Sequence, residues 1–137
     1  MSAPTDGLDS TPPPQRILVI DDEAVIGAGC KRILGAEGHQ VDVFQDPASG
    51  LQAALTGDYD LVLLDLVMPG LDGMTILKDL KAAGVPSAVV VITGYATVES
   101  AVEAMKLGAA DYVGKPFTPD HLKIVVRKVC ERSALLR

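Results

Sequence analysis

Apolar residues fall along the chain in two alternating patterns. Ile17-Leu18-Val19-Ile20, Leu61-Val62-Leu63-Leu64 and Ala88-Val89-Val90-Val91-Ile92 are short uninterrupted runs, most of them β-formers. Runs of this length without polar alternation read as strands buried on both faces. Val41-Asp42-Val43-Phe44 keeps a polar position and reads as an edge strand, and a short fifth strand is expected around Tyr112-Val113. Between these runs the apolar spacing becomes helical. Ile26, Cys30, Ile33 and Leu34 mark a helix stopped at Gly38, although Gly27, Gly29 and Gly35 weaken it intrinsically. Asp46-Pro47 supplies an N-cap and a proline at the first helical position for a helix carrying Leu51, Ala54 and Leu55. A turn at Met68-Pro69-Gly70 leads into a helix with Met74, Leu77 and Leu80, ended by Gly84. Val98, Ala101, Val102 and Met105 mark a fourth helix closed by Gly108, and Thr118-Pro119 opens a fifth with Leu122, Val125, Val126 and Val129 on its core side. Five strands alternating with five helices predict an α/β fold: a five-stranded parallel sheet in a three-layer α/β/α sandwich, joined by right-handed crossovers.

The chain has 137 residues, 48% of them apolar and 22% charged, which suits one globular domain. Residues 1–15 contain Pro4, Pro12, Pro13 and Pro14 but only Met1 and Leu8 as large apolar groups, and are expected to be a flexible leader. The domain proper is placed at 16–132. Residues 133–137 are read as an extension of the last helix or the start of a linker, because the segment stays apolar and basic to its end. Leu122, Val126, Val129, Ser133 and Leu136 have heptad spacing for barely two heptads, short of the ~3–4 a coiled coil needs.

Formal net charge is −6, divided between −10 over residues 1–114 and +4 over 115–137. The acidic body excludes direct nucleic-acid binding by this domain as the expected activity. No apolar run approaches the ~18–20 residues of a membrane span, so no membrane association is expected. Cys30 and Cys130 lie in helix-like apolar patterns without metal or disulfide spacing and read as buried thiols. With no secretory signal pattern at the start, a cytoplasmic setting is expected.

In an open α/β sheet, ligands bind outside the carboxyl ends of the strands, beside the point where strand order reverses. The first strand ends in Asp21 and Asp22, the third in Asp65, the fourth in Thr93, and the fifth is followed by Lys115. Taken singly, each has an ordinary explanation: Asp22 as a helix cap, Thr93 as a partner for a loop amide, Lys115 as a solvated charge, residues 65–73 as a polar turn. Taken together they are costly. Like unit charges ~4 Å apart repel by ~4 kcal/mol at an effective dielectric of 20, and a divalent cation relieves that. An all-oxygen, solvent-open acidic site without thiolate or imidazole fits Mg²⁺. Lys115 then offers a fixed positive charge to a phosphoryl group, Thr93 a hydroxyl, and one carboxylate is left as nucleophile.

Residues 17–22 with their paired acids, residues 61–73 reading LVLLDLVMPGLDG, Val89 to Thr93 followed by Gly94, and Tyr112-Val113-Gly114-Lys115-Pro116-Phe117 closely resemble the receiver domain of two-component response regulators. The resemblance spans essentially all of 16–132, and its joint motifs are very specific. It implies the flavodoxin-like strand order 2-1-3-4-5. It further implies that Asp65 is the phosphoacceptor and that Asp22, Asp65 and the backbone carbonyl of Val67 ligate Mg²⁺, with Asp21 acting through a bound water. Thr93 and Lys115 would hold the phosphoryl oxygens, the Lys115-Pro116 bond would be cis, and Tyr112 would be the switch residue.

The implied partners are a sensor histidine kinase or phosphotransfer protein as donor, and an output domain or a second copy contacted through helix four, strand five and helix five. Such a domain catalyses only its own phosphorylation and a slow autodephosphorylation. Slowness is expected because Val67 cannot orient a water and Tyr95 is bulky. The end of the chain is more weakly similar to receivers at the front of enhancer-binding transcriptional activators. Two alternatives stand further off. A phosphatase of haloacid-dehalogenase type would also use Asp65 as nucleophile with Mg²⁺, but it carries a second Asp where this chain has Val67. A dinucleotide-binding module lacks its glycine-rich loop, since the first turn reads DDEAVIGAG.

Overall fold

The computed structural model describes residues 13–136, with side chains for 13–132. Its elements are β1 (Arg16–Ile20), α1 (Ala24–Ala36), β2 (Gln40–Phe44), α2 (Pro47–Thr56), β3 (Leu61–Asp65), α3 (Gly73–Ala82), β4 (Ala88–Thr93), α4 (Val98–Lys106), β5 (Asp111–Gly114) and α5 (Pro119–Leu136). All four strand pairings are parallel, in the order β2-β1-β3-β4-β5. The α/β architecture and order expected from the sequence are both present. Residues 1–12 of the expected leader lie outside the described residues. Among those described, no helix is long and apolar enough to cross a membrane.

Alternation along each strand builds two cores. Ile17, Val19, Leu61, Leu63, Val90 and Ile92 face α1 and α5, meeting Cys30, Leu34, Leu122, Val126 and Val129. Leu18, Ile20, Val62, Leu64, Val89 and Val91 face the other way, onto Ala54, Ile76, Leu77, Leu80 and Ala104. Both cysteines are free and buried, as read from the sequence. The caps also form: Asp46 accepts from Ser49 N–H, and Thr118 accepts from His121 N–H. Leu122, Val126 and Val129 are spent on the core, so these heptad positions form no free seam. The side chains of Ser133 and Leu136 lie outside those described.

Helix α4 forms where its apolar spacing places it, yet Val98, Val102 and Met105 are 80, 46 and 47% exposed. The only buried residue of α4 is Ala104. A methyl side chain lets the helix lie close to the sheet, so small residues form the inner face and the larger apolar residues turn outward.

Candidate functional site

The chain passes from β1 to β2 on one side of β1 and then crosses to β3 on the other, so strand order reverses between β1 and β3. That places the crevice at the carboxyl ends of these two strands. Asp21 follows β1 directly, its N–H held by the carbonyl of Phe44 at 3.1 Å. Asp65 closes β3 opposite Ile92, and Thr93 closes β4 opposite Gly114. Lys115 follows β5, its N–H donating to the carbonyl of Thr93 at 2.8 Å. The Lys115-Pro116 peptide is cis.

The turn after Asp65 depends on a glycine. Gly73 N–H donates to Leu66 O at 3.0 Å, and a Cβ at Gly73 would stand 2.2 Å from Asp65 O and 2.5 Å from Leu66 Cα, both backbone atoms. Only a residue without a side chain lets α3 start against the end of β3, which fixes the loop carrying Val67, Met68 and Pro69. Gly70 in that loop has φ of +92°, the left-handed region.

One carboxylate oxygen from each of Asp21, Asp22 and Asp65 lies within 4.8 Å of the others, with Asp21 and Asp65 buried and Asp22 half-buried. Asp21 Oδ1 accepts from Glu23 N–H at 2.9 Å. Its buried Oδ2 has no hydrogen-bond partner and meets Lys115 Nζ only as an ion pair at 2.9 Å. Asp65 Oδ1 accepts from Val67 N–H at 3.3 Å, and Asp65 Oδ2 accepts from Lys115 Nζ at 3.4 Å. Burial and then the neighbouring Asp21 charge push the Asp65 carboxyl up to about 6, against the opposing pull of Lys115 and Val67 N–H. Burial works against the Lys115 cation, but the hydrogen bond to Glu23 and the negative charges of Asp21 and Asp65 hold its pKa above the ordinary lysine value. Cys30, beneath the site, is pushed up to about 12 by burial and then by the Asp21 charge, so its thiol is inert.

This donor set fits a hard divalent cation: three oxygens in reach of one centre, one of them buried and lacking a hydrogen bond, and a carboxyl whose ionised form is disfavoured until positive charge arrives. The cluster opens into a cavity of about 490 Å³ lined by Asp22, Glu23, Val67, Met68, Pro69 and Tyr95. Val67 and Tyr95 are exposed at its rim, where their side chains meet whatever enters.

The structure thus brings Asp21, Asp22, Asp65 and Lys115 together. Thr93 is fully buried beside them, and its hydroxyl accepts from Tyr95 N–H at 3.1 Å, the loop-amide role weighed for it above. Asp22 is not a helix cap: Glu23 holds the N-cap position of α1, with no side-chain cap bond. Tyr112 is half-buried on β5, its hydroxyl 2.5 Å from Ser100 Oγ. Two residues were not singled out in the sequence. Glu23 Oε2 accepts from Lys115 Nζ at 2.6 Å, and Ser100 meets Tyr112. Glu23 was visible as the third acid of the run after β1, whereas nothing in the local sequence marks Ser100.

An open parallel sheet thus gathers three strand-end aspartates and the lysine after strand five at one edge. The sequence matches the response regulator receiver domain family over residues 17–127, and the chain belongs to that family. It is 37% identical over 122 residues to the transcriptional regulatory protein DltR of Streptococcus agalactiae, covering 89% of this chain and 54% of that protein. It is 38% identical over 117 residues to the transcriptional regulatory protein FixJ of Bradyrhizobium diazoefficiens, covering 85% and 57%. The chain spans about half the length of these curated relatives. A CheY-like receiver domain protein from Methanospirillum hungatei superposes with a TM-score of 0.86 at 26% identity, covering 91% of this chain and all of that one. NtrX from Brucella abortus, in complex with ADP, superposes with a TM-score of 0.85 at 37% identity, covering 91% and 29%. The domain is therefore a signalling module of two-component systems, and the haloacid-dehalogenase alternative finds no support.

Proposed function

We propose that this domain accepts a phosphoryl group on Asp65 from a sensor histidine kinase or phosphotransfer protein. The observation that carries the reading is the buried Asp65 carboxylate with Asp21 and Asp22 oxygens within 4.8 Å and Lys115 Nζ at 3.4 Å. An Asp65 oxygen attacks phosphorus in line, the new P–O bond forms as the bond to the donor breaks, and the donor nitrogen leaves with the electron pair. Asp22, Asp65 and the Val67 carbonyl would hold Mg²⁺, with Asp21 acting through a water. Bound there, the cation supplies neutralisation of the charge that gathers on the phosphoryl oxygens. Lys115 grips one of those oxygens, and the Thr93 hydroxyl leaves Tyr95 N–H to donate to another.

The phosphoryl charge of about −2, in place of the single charge of the carboxylate, then shifts Thr93 and Tyr112, which reshapes the surface formed by α4, β5 and α5. That surface meets an output domain or a second copy. We assign the receiver to 16–132 and residues 133–137 to an extension of the last helix or the start of a linker. Val67 has no group to orient a water, so the acyl phosphate is lost slowly by autodephosphorylation.

Incubation with Mg²⁺ and a small acyl-phosphate donor tests the assignment. One phosphoryl group of added mass, labile to hydroxylamine and absent in Asp65→Asn, is the expected result. A label that persists in Asp65→Asn at another site, such as Ser87, overturns it.

A further inference from the structure

Ser100 sits in the first turn of α4, and its hydroxyl has more neighbours than it can serve at once. Thr97 N–H donates to it at 3.2 Å, the Thr97 and Tyr112 hydroxyls lie at 3.0 and 2.5 Å, and the carbonyl oxygens of Thr97 and Tyr95 lie at 3.2 and 3.4 Å. A hydroxyl has one proton and two acceptor sites. One arrangement keeps Tyr112 within the capacity of the serine: Ser100 Oγ accepts from Thr97 N–H and from Tyr112 O–H, and gives its own proton to one of the two carbonyls. In return Ser100 N–H donates to Thr97 Oγ1 at 3.0 Å, completing a capping box. The Tyr112 hydroxyl is therefore a member of the α4 cap.

The same residue is tied to the site. Tyr95 N–H donates to the buried Thr93 hydroxyl, and Tyr95 O lies on Ser100 Oγ. Thr93 and Tyr112 are thus joined by hydrogen bonds through one backbone unit and one serine. If Thr93 turns its hydroxyl elsewhere, Tyr95 N–H loses its acceptor and the loop bearing Tyr95 O is free to shift beneath Ser100.

Resting on the reading of Asp65 as phosphoacceptor, we propose that the Ser100 hydroxyl is a clasp that holds Tyr112 in its resting position and is released through Thr93 and Tyr95. Ser100 is a positioning residue: it touches neither phosphorus nor metal, and it biases the equilibrium between two placements of Tyr112. Breaking the clasp lowers the work of switching, so the phosphorylated state is reached more easily. Beryllofluoride with Mg²⁺, a stable phosphoryl mimic, reads this bias as an apparent affinity for the whole chain.

Tyr112→Phe and Ser100→Ala should each tighten apparent beryllofluoride affinity by about fivefold, the factor that one net hydrogen bond contributes. The double variant should gain no more than either single one, because both remove the same bond. Ser100→Thr, which keeps the hydroxyl, should restore wild-type affinity. Thr97→Ala, which damages the cap and removes a second neighbour of the Ser100 hydroxyl but keeps the Tyr112 partner, should lower the melting temperature and change affinity less than Ser100→Ala does. Amide NMR of residues 112–114 in Ser100→Ala without ligand should already lie partway toward the saturated positions. If Ser100→Ala fails to fold, Tyr112→Phe carries the test alone. Wild-type affinity in Tyr112→Phe, or full additivity in the double variant, overturns the clasp. Failure of the wild-type chain to bind beryllofluoride overturns the Asp65 reading, and the clasp with it.

Discussion

Lys115 and Glu23 stand 92 positions apart in sequence, yet Lys115 Nζ donates to Glu23 Oε2 at 2.6 Å, nearer than its approach to Asp21 at 2.9 Å or Asp65 at 3.4 Å. The lysine proposed to grip a phosphoryl oxygen is thus held by a carboxylate at the rim. Glu23→Gln releases it. An ion pair this exposed contributes ~0.2–1 kcal/mol, so at saturating Mg²⁺ the variant should label at Asp65 up to about fivefold faster at low donor concentration. Single-turnover labelling by mass spectrometry measures it, and a slower Glu23→Gln protein would show that Glu23 attracts the cation rather than detaining the lysine.

Asp22 contributes charge to the cluster but no cap to α1. Asp22→Ala should therefore leave the metal-free protein as stable as wild type or up to about 1 kcal/mol more stable. It should weaken Mg²⁺ binding about tenfold or more, since a ligand carboxylate is lost. Urea denaturation with chelator and with excess Mg²⁺ separates the two effects. A large loss of stability in chelator would return Asp22 to a structural role.

The loop after β3 should be intolerant of any side chain at Gly73, because the atoms a Cβ would meet are backbone atoms of Asp65 and Leu66. Gly73→Ala is expected to destabilise by about 1–3 kcal/mol, the usual cost of forced overpacking, and to shift the Asp65 backbone enough to slow its phosphorylation. Chemical denaturation and donor labelling check both. Gly29→Ala, where nothing lies within 4 Å of a new Cβ, is the control and should be neutral or slightly stabilising.

His39 gives the protein an acid-sensitive joint far from the site. It is buried, and its Nδ1 accepts from Gln15 N–H at 3.0 Å, which requires an unprotonated nitrogen. Burial lowers its pKa from 6.5, with the Glu37 charge opposing. A group depressed in the folded state contributes stability above its unfolded pKa and loses it as pH falls, so the contribution of His39 is full above 6.5 and is lost as pH falls below it. Asp65 works in the opposite sense: raised to about 6, its contribution is full below 3.8 and lost as pH rises through 6. The comparison is therefore made in an Asp65→Asn background, where His39→Asn should remove most of the remaining slope. A slope unchanged by His39→Asn would place its origin elsewhere.

The sheet was legible because its interior strands have no polar positions: residues 17–20 and 61–64 admit no other reading in an α/β chain of this length. Asp21, Asp22, Asp65, Thr93 and Lys115 were legible because each ends or follows a strand, and parallel strands carry their ends to one edge. Glu23 and Ser100 were not, because their partners lie 92 and 12 positions away and only the packed sheet brings them together. The outward face of α4 was not legible for a simpler reason. Helical spacing tells which residues share a face, not which face the core takes. Alanine, which the core took here, leaves a weak mark on any hydrophobic pattern.

That choice of alanine has a mechanical consequence. Helix α3 is fastened by Gly73, Ile76, Leu77 and Leu80, whereas α4 is fastened by Ala104 alone among fully buried residues. Each large aliphatic side chain lifted from a core costs ~1.5–3 kcal/mol, so sliding α3 would forfeit several such terms while sliding α4 would forfeit little more than one methyl. Of these two helices α3 is thus the stiff wall and α4 the compliant one. The compliant wall carries Val98, Val102 and Met105 on its outside, so a small rotation of α4 changes what the molecule displays while the layers beneath keep their packing.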